Sequence, residues 1–227
     1  MPSRKNRRGY SERQNKVRYK NTRKRILIVC EGTKTEPNYF EGLRREFRKK
    51  LFIEIEPAGR VHLSLVQKAK QLADDDGEYD EVWCVFDRDL KAENFNQENF
   101  NQAIITAKEN EFKLAVSNDA FELWFILHFE YYCSETHRSK FRKILSDKKR
   151  LGIIYEKNSD EMYNILKDRQ EDAIVNAKKL WKKCDREIKQ HQNHIDKLIK
   201  KHNINPSTTV YQLVERIKEI SEDRDNC

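Results

Sequence analysis

The hydrophobic pattern of this chain begins with an unbroken apolar run at residues 26–30, directly after a basic, polar stretch. A run of this length without alternation is typical of a strand that is covered on both faces, as in a parallel sheet. After the polar residues 33–35, Pro37 suits an early helical position. Apolar side chains then recur at helical spacing, at Tyr39, Phe40, Leu43 and Phe47. The pattern predicts a strand, a tight loop and a helix.

Further apolar runs repeat this alternation along the first half of the chain. Residues 52–55, 82–86 and 112–116 each predict a strand. Helical spacing from about residue 63 to 72, and again from about 95 to 110, predicts two further helices. Strands and helices that alternate in this way form right-handed βαβ units. We therefore expect an α/β fold with a mainly parallel four-stranded sheet flanked by helices.

Beyond residue 119 the pattern becomes helical. Residues 121–129 predict one short, densely apolar helix, and a Lys-rich helix is predicted from about residue 171 to 202. A final helix is predicted after Asn205-Pro206. No long linker interrupts this half, so we expect it to pack on the sheet. The predicted divisions are a basic arm at residues 1–25, an α/β domain at 26–130 and a helical C-terminal region at 131–227.

The composition fits a soluble protein with a core of its own. Hydrophobic residues make up 37% of the 227 residues, which is enough to fill a core, while the mean hydropathy is −0.97. No apolar run approaches the roughly 20 residues that cross a bilayer, so we expect a cytoplasmic protein without a membrane partner. The five cysteines are scattered without zinc-like spacing. We expect reduced thiols, with Cys30 and Cys84 in the core.

Positive charge is concentrated at the N-terminus. Residues 1–25 contain eleven Lys or Arg, among them Arg23, Lys24 and Arg25, and a single acid, Glu12. A basic arm without a hydrophobic anchor favours a polyanionic partner, nucleic acid before membrane. A solubilising tail is the alternative.

Three acids follow two of the predicted strands. Glu31 comes directly after the first strand, and Asp87 and Asp89 follow the third. Ligands of open parallel sheets collect at the carboxyl ends of the strands, so these carboxylates meet if the first and third strands are neighbours. Magnesium, with manganese as the alternative, prefers carboxylate, water and phosphate oxygens. The sequence therefore predicts a metal site suited to phosphoryl chemistry.

The neighbours of these acids allow two interpretations. Lys34 and Arg88 lie where a cation can steady a phosphate oxygen, although Arg88 can equally form an ordinary salt bridge. The two aspartates can instead end their strand in a turn, and Thr33 with Glu36 can form a helix-capping pair.

The segment around residue 120 contains further polar candidates. Asp119 can be the N-cap of the following helix, with Glu122 as its reciprocal partner, or can join the metal site as a further acid. Glu122 lies among bulky apolar residues, where an acid is costly unless it is hydrogen-bonded or bound to metal. Asn118 is a candidate for nucleic-acid binding or a turn residue. His128 is more typical of a hydrogen-bonded core residue than of a base.

Three segments resemble the signatures of the RloB family, and the resemblance covers nearly everything after residue 25. They are Ile28-Val29-Cys30-Glu31-Gly32-Thr33-Lys34-Thr35-Glu36-Pro37-Asn38-Tyr39-Phe40, Val82-Trp83-Cys84-Val85-Phe86-Asp87-Arg88-Asp89 and Phe121-Glu122-Leu123-Trp124-Phe125-Ile126-Leu127-His128-Phe129. The chain departs from the family at Asp119, where the family usually has proline.

The resemblance implies a fold similar to the Toprim superfamily, which includes primases, topoisomerases and overcoming-lysogenization-defect nucleases. It implies a metal-binding, catalytic glutamate after the first strand and an Asp-x-Asp motif after the third, here Glu31, Asp87 and Asp89. It also implies a role in anti-phage defence, often beside an ATPase of the ABC or SMC type.

We therefore expect a Mg²⁺-dependent nuclease acting on RNA, with tRNA as one candidate, or on DNA. Lys34 and Glu122 complete the expected catalytic set, and a homo-oligomer is compatible with this function. The main alternative is a non-catalytic nucleic-acid-binding or regulatory subunit. A nucleotide-sugar transferase also places Asp-x-Asp after a strand, but it has no use for a Glu-Gly turn after the first strand. A phosphoaspartate hydrolase would carry its aspartates after the first strand instead.

Overall fold

A computed structural model describes residues 23–90, 95–188 and 193–223. Within these ranges one sheet has five strands in the order β2-β1-β3-β4-β5. The strands are β1 (Arg25–Cys30), β2 (Phe52–Pro57), β3 (Glu81–Asp87), β4 (Lys113–Asn118) and β5 (Ser207–Thr208). The first four are parallel, and β5 pairs antiparallel with β4.

Nine α-helices accompany the sheet in the described part of the chain. They are α1 (Thr35–Phe47), α2 (His62–Asp76), α3 (Gln97–Glu109), α4 (Glu122–Leu127), α5 (Phe141–Leu145), α6 (Met162–Leu166), α7 (Gln170–Glu187), α8 (His194–His202) and α9 (Val210–Glu222). Among these helices, none combines the length and the apolar character needed to cross a membrane.

The helices form a layer on each face of the sheet. Alternate residues of β1 enter different cores: Ile26 and Ile28 pack with α1, α4, α7 and α9, while Leu27 and Val29 pack with α2, α3 and α8. All four side chains are fully buried, each contributing about 1.5–3 kcal/mol relative to exposure. The unbroken apolar run at residues 26–30 therefore forms a strand that is covered on both faces, as predicted.

The strand order confirms the predicted neighbourhood of the first and third strands. β1 lies between β2 and β3, with Ile28 opposite Trp83 and Cys30 opposite Val85. Both Cys30 and Cys84 are buried free thiols, as expected. Because both strands run in the same direction, the residues that follow Cys30 and Val85 emerge at one edge.

Two expectations for the second half of the chain are wrong. The sheet has a fifth strand, at Ser207–Thr208, where only helix was predicted. The Lys-rich segment is two helices rather than one, because α7 ends at Glu187 and α8 starts at His194, where the Asn193 side chain accepts a hydrogen bond from the Ile195 N–H. Most of the predicted basic arm, residues 1–22, lies outside the described residues.

His128 confirms the prediction of a hydrogen-bonded core residue, and it makes the fold sensitive to acid. Its ring is fully buried, Nδ1–H donates to the Trp124 carbonyl at 2.9 Å, and burial lowers the pKa to about 4. In the unfolded chain this pKa returns to about 6.5, so between these values the unfolded state binds more protons. The free energy of unfolding must therefore fall as the pH drops through this window.

We expect His128→Gln, which removes one titrating group, to reduce this pH dependence; buried His202, whose pKa burial lowers to about 3, keeps part of it. The measurement is urea unfolding of wild type and variant at about pH 7 and about pH 4.5. His194→Gln, at an exposed position on α8, is the matched control and should keep the wild-type slope. An equal loss of stability in wild type and His128→Gln would contradict the assignment.

Candidate metal centre

Glu31 and Asp87 meet at the carboxyl edge of the sheet. The Glu31 N–H donates to the Val85 carbonyl at 2.9 Å, which extends the β1–β3 ladder by one residue. The Glu31 carboxylate then turns back, and its Oε2 accepts a hydrogen bond from the Asp87 N–H at 3.0 Å. Two stretches of chain 56 residues apart thus deliver their acids to one place.

Side-chain alternation separates Asp87 and Asp89 from Arg88. Successive residues of an extended chain point to opposite faces, so the two aspartates share one side. Arg88 points to the other side, where it is buried, donates to the Gln97 side chain and lies over the rings of Phe95 and Phe100 at 5.5 and 5.7 Å. Its position therefore matches neither the phosphate-binding role nor a salt bridge with the adjacent aspartates.

A cation that sequence reasoning missed lies between the two aspartates. Arg138, in the 3-10 turn Arg138–Lys140, donates through Nη2 to Asp87 Oδ2 at 3.2 Å and through Nη1 to Asp89 Oδ2. Its backbone N–H donates to Asp119 Oδ2 at 2.7 Å. No local motif marks Arg138, since it lies 49 residues beyond Asp89 on a loop without periodicity.

Two further acids are buried beside this group. Glu36 and Glu122 are 6% and 7% exposed, and the Tyr155 hydroxyl donates to Glu122 Oε1 at 3.3 Å. Glu36 packs so tightly against Gly32 that a Cβ there would come within 2.2 Å of its carboxylate. The capping pair of Thr33 and Glu36 does not form, because Lys34 is the N-cap residue of α1 and no side chain caps this end.

Burial disfavours the charged forms of the acids in this site. Burial, reinforced by Glu36 and Asp89, raises the pKa of Glu31 to about 7, against the opposing Asp87 N–H and Arg138. Burial and Glu36 raise the pKa of Asp87 well above its usual range, although Arg138 opposes them. Burial opposes the charge of Arg138, but Asp87 and Asp89 outweigh it and raise the pKa of that guanidinium. The positive charge of Arg138 therefore does not offset the effect of burial on Glu31 and Asp87.

An open cavity of about 360 Å³ borders these acids. Four acids line it, namely Glu31, Glu36, Asp87 and Glu122, and three cations, namely Lys34, Arg138 and Lys157. The Asn158 side chain accepts from the Thr35 hydroxyl at 2.9 Å, which ties the loop that carries Lys157 to the start of α1. The cavity has the size of a small-ligand site and an unusual density of charge.

Asp119 does not cap the following helix, so that prediction is wrong. Helix α4 starts at Glu122 with no side-chain cap, and Asp119 instead accepts the hydrogen bond from Arg138. Asp119 also lies near two other potential metal ligands: Asp89, Asp119 and His137 offer ligand atoms that lie within 4.8 Å of one another. Asp89 belongs to this group and also to the pair of aspartates that Arg138 bridges.

Four residues predicted to bind nucleic acid lie away from the acids at the sheet edge. Asn118 is fully buried, and its Nδ2 donates to the His202 carbonyl at 3.0 Å. Arg23, Lys24 and Arg25 lie at the opposite end of β1, roughly 20 Å away by strand rise, where Arg25 pairs with Glu78.

A second cavity, of about 350 Å³, lies on another part of the molecule and is less suited to a metal ion. It is lined by Trp83, Lys113 and Arg216 among others. Among the residues that the structure describes, only two acids line it, Glu215 and Glu219, and they form ion pairs with Lys178 and Arg216. The cavity at the carboxyl edge, with four lining acids, has more carboxylates to offer a metal ion.

A family model described as RloB-like protein matches residues 26–217. The chain belongs to the RloB-like family. No curated protein and no solved structure gives a significant match. In this RloB-like protein the matched range includes the acids at the sheet edge as well as Arg138, Lys157 and β5. The resemblance expected from the three sequence segments is confirmed at the level of the family.

Proposed function

We propose that this RloB-like protein is a Mg²⁺-dependent nuclease with a Toprim-like catalytic sheet. The observation that carries the proposal is the convergence of Glu31, Asp87 and Asp89 around the guanidinium of Arg138. A cluster of buried and half-buried carboxylates that already binds one protein cation has the chemistry to bind another.

The donor set fits Mg²⁺ or Mn²⁺. Every candidate ligand from the sheet edge is a carboxylate oxygen, the type that hard divalent cations prefer. The raised pKa values of Glu31 and Asp87 indicate that positive charge is in deficit there, and a divalent cation would supply it. Asp87 and Asp89 would hold the ion, with Glu31 as a further ligand.

In this proposal each residue has a distinct task. A bound divalent ion would polarise the scissile phosphate and lower the pKa of an attacking water or hydroxyl. Glu31 would act as ligand or proton carrier at its Oε atoms; burial raises its pKa to about 7, and a bound cation would oppose that rise. Lys34 and Lys157, on the rim of the cavity, would bind non-bridging phosphate oxygens. Glu122 would orient water through its contact with Tyr155.

The biological role follows from the family resemblance. We propose RNA, including tRNA, or DNA as substrate, and an anti-phage defence function in the cytoplasm, with an ABC or SMC-type ATPase as partner. A homo-oligomer is compatible with this role. The basic N-terminal arm would add sequence-independent affinity for the phosphate backbone.

A non-catalytic binding or regulatory subunit is the second candidate, and one observation favours it. Arg138 already forms ion pairs with two of the three key acids. If this guanidinium stays in place, the site binds nucleic acid through its rim cations without cleaving it.

The deciding experiment is an assay of the full chain on end-labelled RNA and DNA with Mg²⁺ or Mn²⁺. We expect cleavage in the presence of metal and a loss of at least about 100-fold when a chelator is added, since a metal supplies several kcal/mol of transition-state stabilisation. Binding that persists in chelator with no cleavage under any condition would favour the non-catalytic subunit instead.

A further inference from the structure

Arg138 occupies the place between Asp87 and Asp89 where a divalent cation would bind. We propose that Arg138 is a built-in substitute for the metal: it holds the two aspartates together in the metal-free protein and leaves them when the metal binds. This inference rests on the proposed metal site, and it adds a residue that controls how tightly that site takes its ion.

The contacts of the guanidinium support this exchange. Arg138 contacts one oxygen of each aspartate, Asp87 Oδ2 and Asp89 Oδ2, through two different nitrogens. A guanidinium can bridge two carboxylates in this way because its donors form a rigid fork. A divalent ion placed between the same oxygens would compete with the guanidinium for these contacts while supplying twice its charge. The two cations are therefore expected to bind in competition.

The backbone at Arg138 is held independently of the side chain. The Arg138 N–H donates to Asp119 Oδ2 at 2.7 Å, and His137 caps the 3-10 turn that contains Arg138, its side chain accepting from the Ser139 N–H. These bonds do not involve the guanidinium, so the side chain can leave the aspartates by rotation about its own bonds. Displacement of Arg138 needs no movement of the fold.

The released guanidinium has a place to go. Arg138 lines the cavity of about 360 Å³ together with Lys34 and Lys157, the two cations on its rim. Facing this cavity, the guanidinium can bind a phosphate oxygen of a nucleic acid in a bidentate manner. Metal binding would thus convert Arg138 from a partner of the aspartates into a partner of the substrate. As a positioning residue, it would couple metal binding to substrate binding.

The test measures Mn²⁺ affinity of the full chain without nucleic acid, by electron paramagnetic resonance of the free ion. If Arg138 competes with the metal, Arg138→Ala should bind Mn²⁺ about tenfold more tightly than wild type, the equivalent of ~1.4 kcal/mol. Arg138→Lys keeps the charge but loses the rigid fork with which the guanidinium reaches both carboxylates, so its affinity should be intermediate. Arg142→Ala, an exposed position four residues further along, should bind Mn²⁺ as wild type does.

Each alternative result has a distinct meaning. Mn²⁺ affinity in Arg138→Ala that equals or falls below that of wild type would overturn the inference, provided that circular dichroism shows a folded variant. If Arg138→Ala does not fold, Arg138→Lys decides, and an affinity no tighter than wild type overturns the inference. If wild type and Asp87→Asn bind Mn²⁺ equally weakly, the proposed metal site itself is wrong, whereas Asp87-dependent binding that ignores Arg138 removes only the exchange.

Discussion

Asp87→Asn should abolish metal-dependent cleavage of nucleic acid, with a fall of about 1,000-fold or more in rate, because loss of the central ligand removes roughly 4 kcal/mol of transition-state stabilisation. Asp87 is 7% exposed and lies between Glu31 and Arg138, at the centre of the proposed site. The rate of cleavage of labelled RNA or DNA at saturating Mg²⁺ is the measurement.

The amide should leave the metal-free fold intact. Burial and neighbouring acids disfavour the charged form of Asp87, as its raised pKa shows, and a neutral amide of the same shape avoids that cost. Thermal unfolding in chelator should therefore show no loss of stability. Asp196→Asn, the same change at an exposed position on α8, is the control and should cleave normally. Full activity of both Asp87→Asn and Glu31→Gln would remove the catalytic assignment.

Trp124→Ala should lower the free energy of unfolding by about 3–5 kcal/mol, the cost of truncating a buried aromatic ring. Trp124 is fully buried in α4, with its ring 6.5 Å from that of Tyr39 and 4.8 Å from that of His128. For a protein of this size the melting temperature should fall by about 10 °C. Val175→Ala, on an α7 side chain that is 62% exposed, should change stability by no more than about 0.5 kcal/mol.

Helix α4 also contains Glu122, so Trp124→Ala tests whether a change in this helix affects stability without affecting activity. If Trp124→Ala is assayed well below its melting temperature, it should retain much of the wild-type activity, since Trp124 does not line the cavity. An unchanged melting temperature would contradict the central position of Trp124 in the core.

The strands and the meeting of the acids were accessible from sequence for a physical reason. Residues 26–30 and 82–86 are unbroken apolar runs, and parallel strands buried on both faces produce such runs. Once these strands are neighbours, the placement of Glu31 and Asp87 at one edge follows from chain direction alone. These parts of the site depend on local pattern and on topology.

The rest depends on contacts that leave no local pattern. Strand β5 consists of Ser207 and Thr208, which are polar, and it is held by hydroxyl contacts such as that between Ser117 Oγ and Thr208 Oγ1 at 3.0 Å. Arg138 acquires its importance only from where a distant loop is folded. Arg88, the cation adjacent to the acids in sequence, points to the opposite face. Adjacency along the chain therefore does not place a cation at the acids.

The late position of β5 affects how the molecule emerges during translation. β4 pairs with a strand whose residues are 91 positions later, so its outer edge stays open while the ribosome adds them. At about 5–20 residues per second this interval lasts roughly 5–20 s. An open edge can join another nascent chain, which makes this period the one in which a chaperone has most to protect. Glu31, Asp87 and Asp89 are also synthesised before Arg138. Until Arg138 follows, the acids at the edge of the sheet lack the guanidinium that later forms ion pairs with two of them.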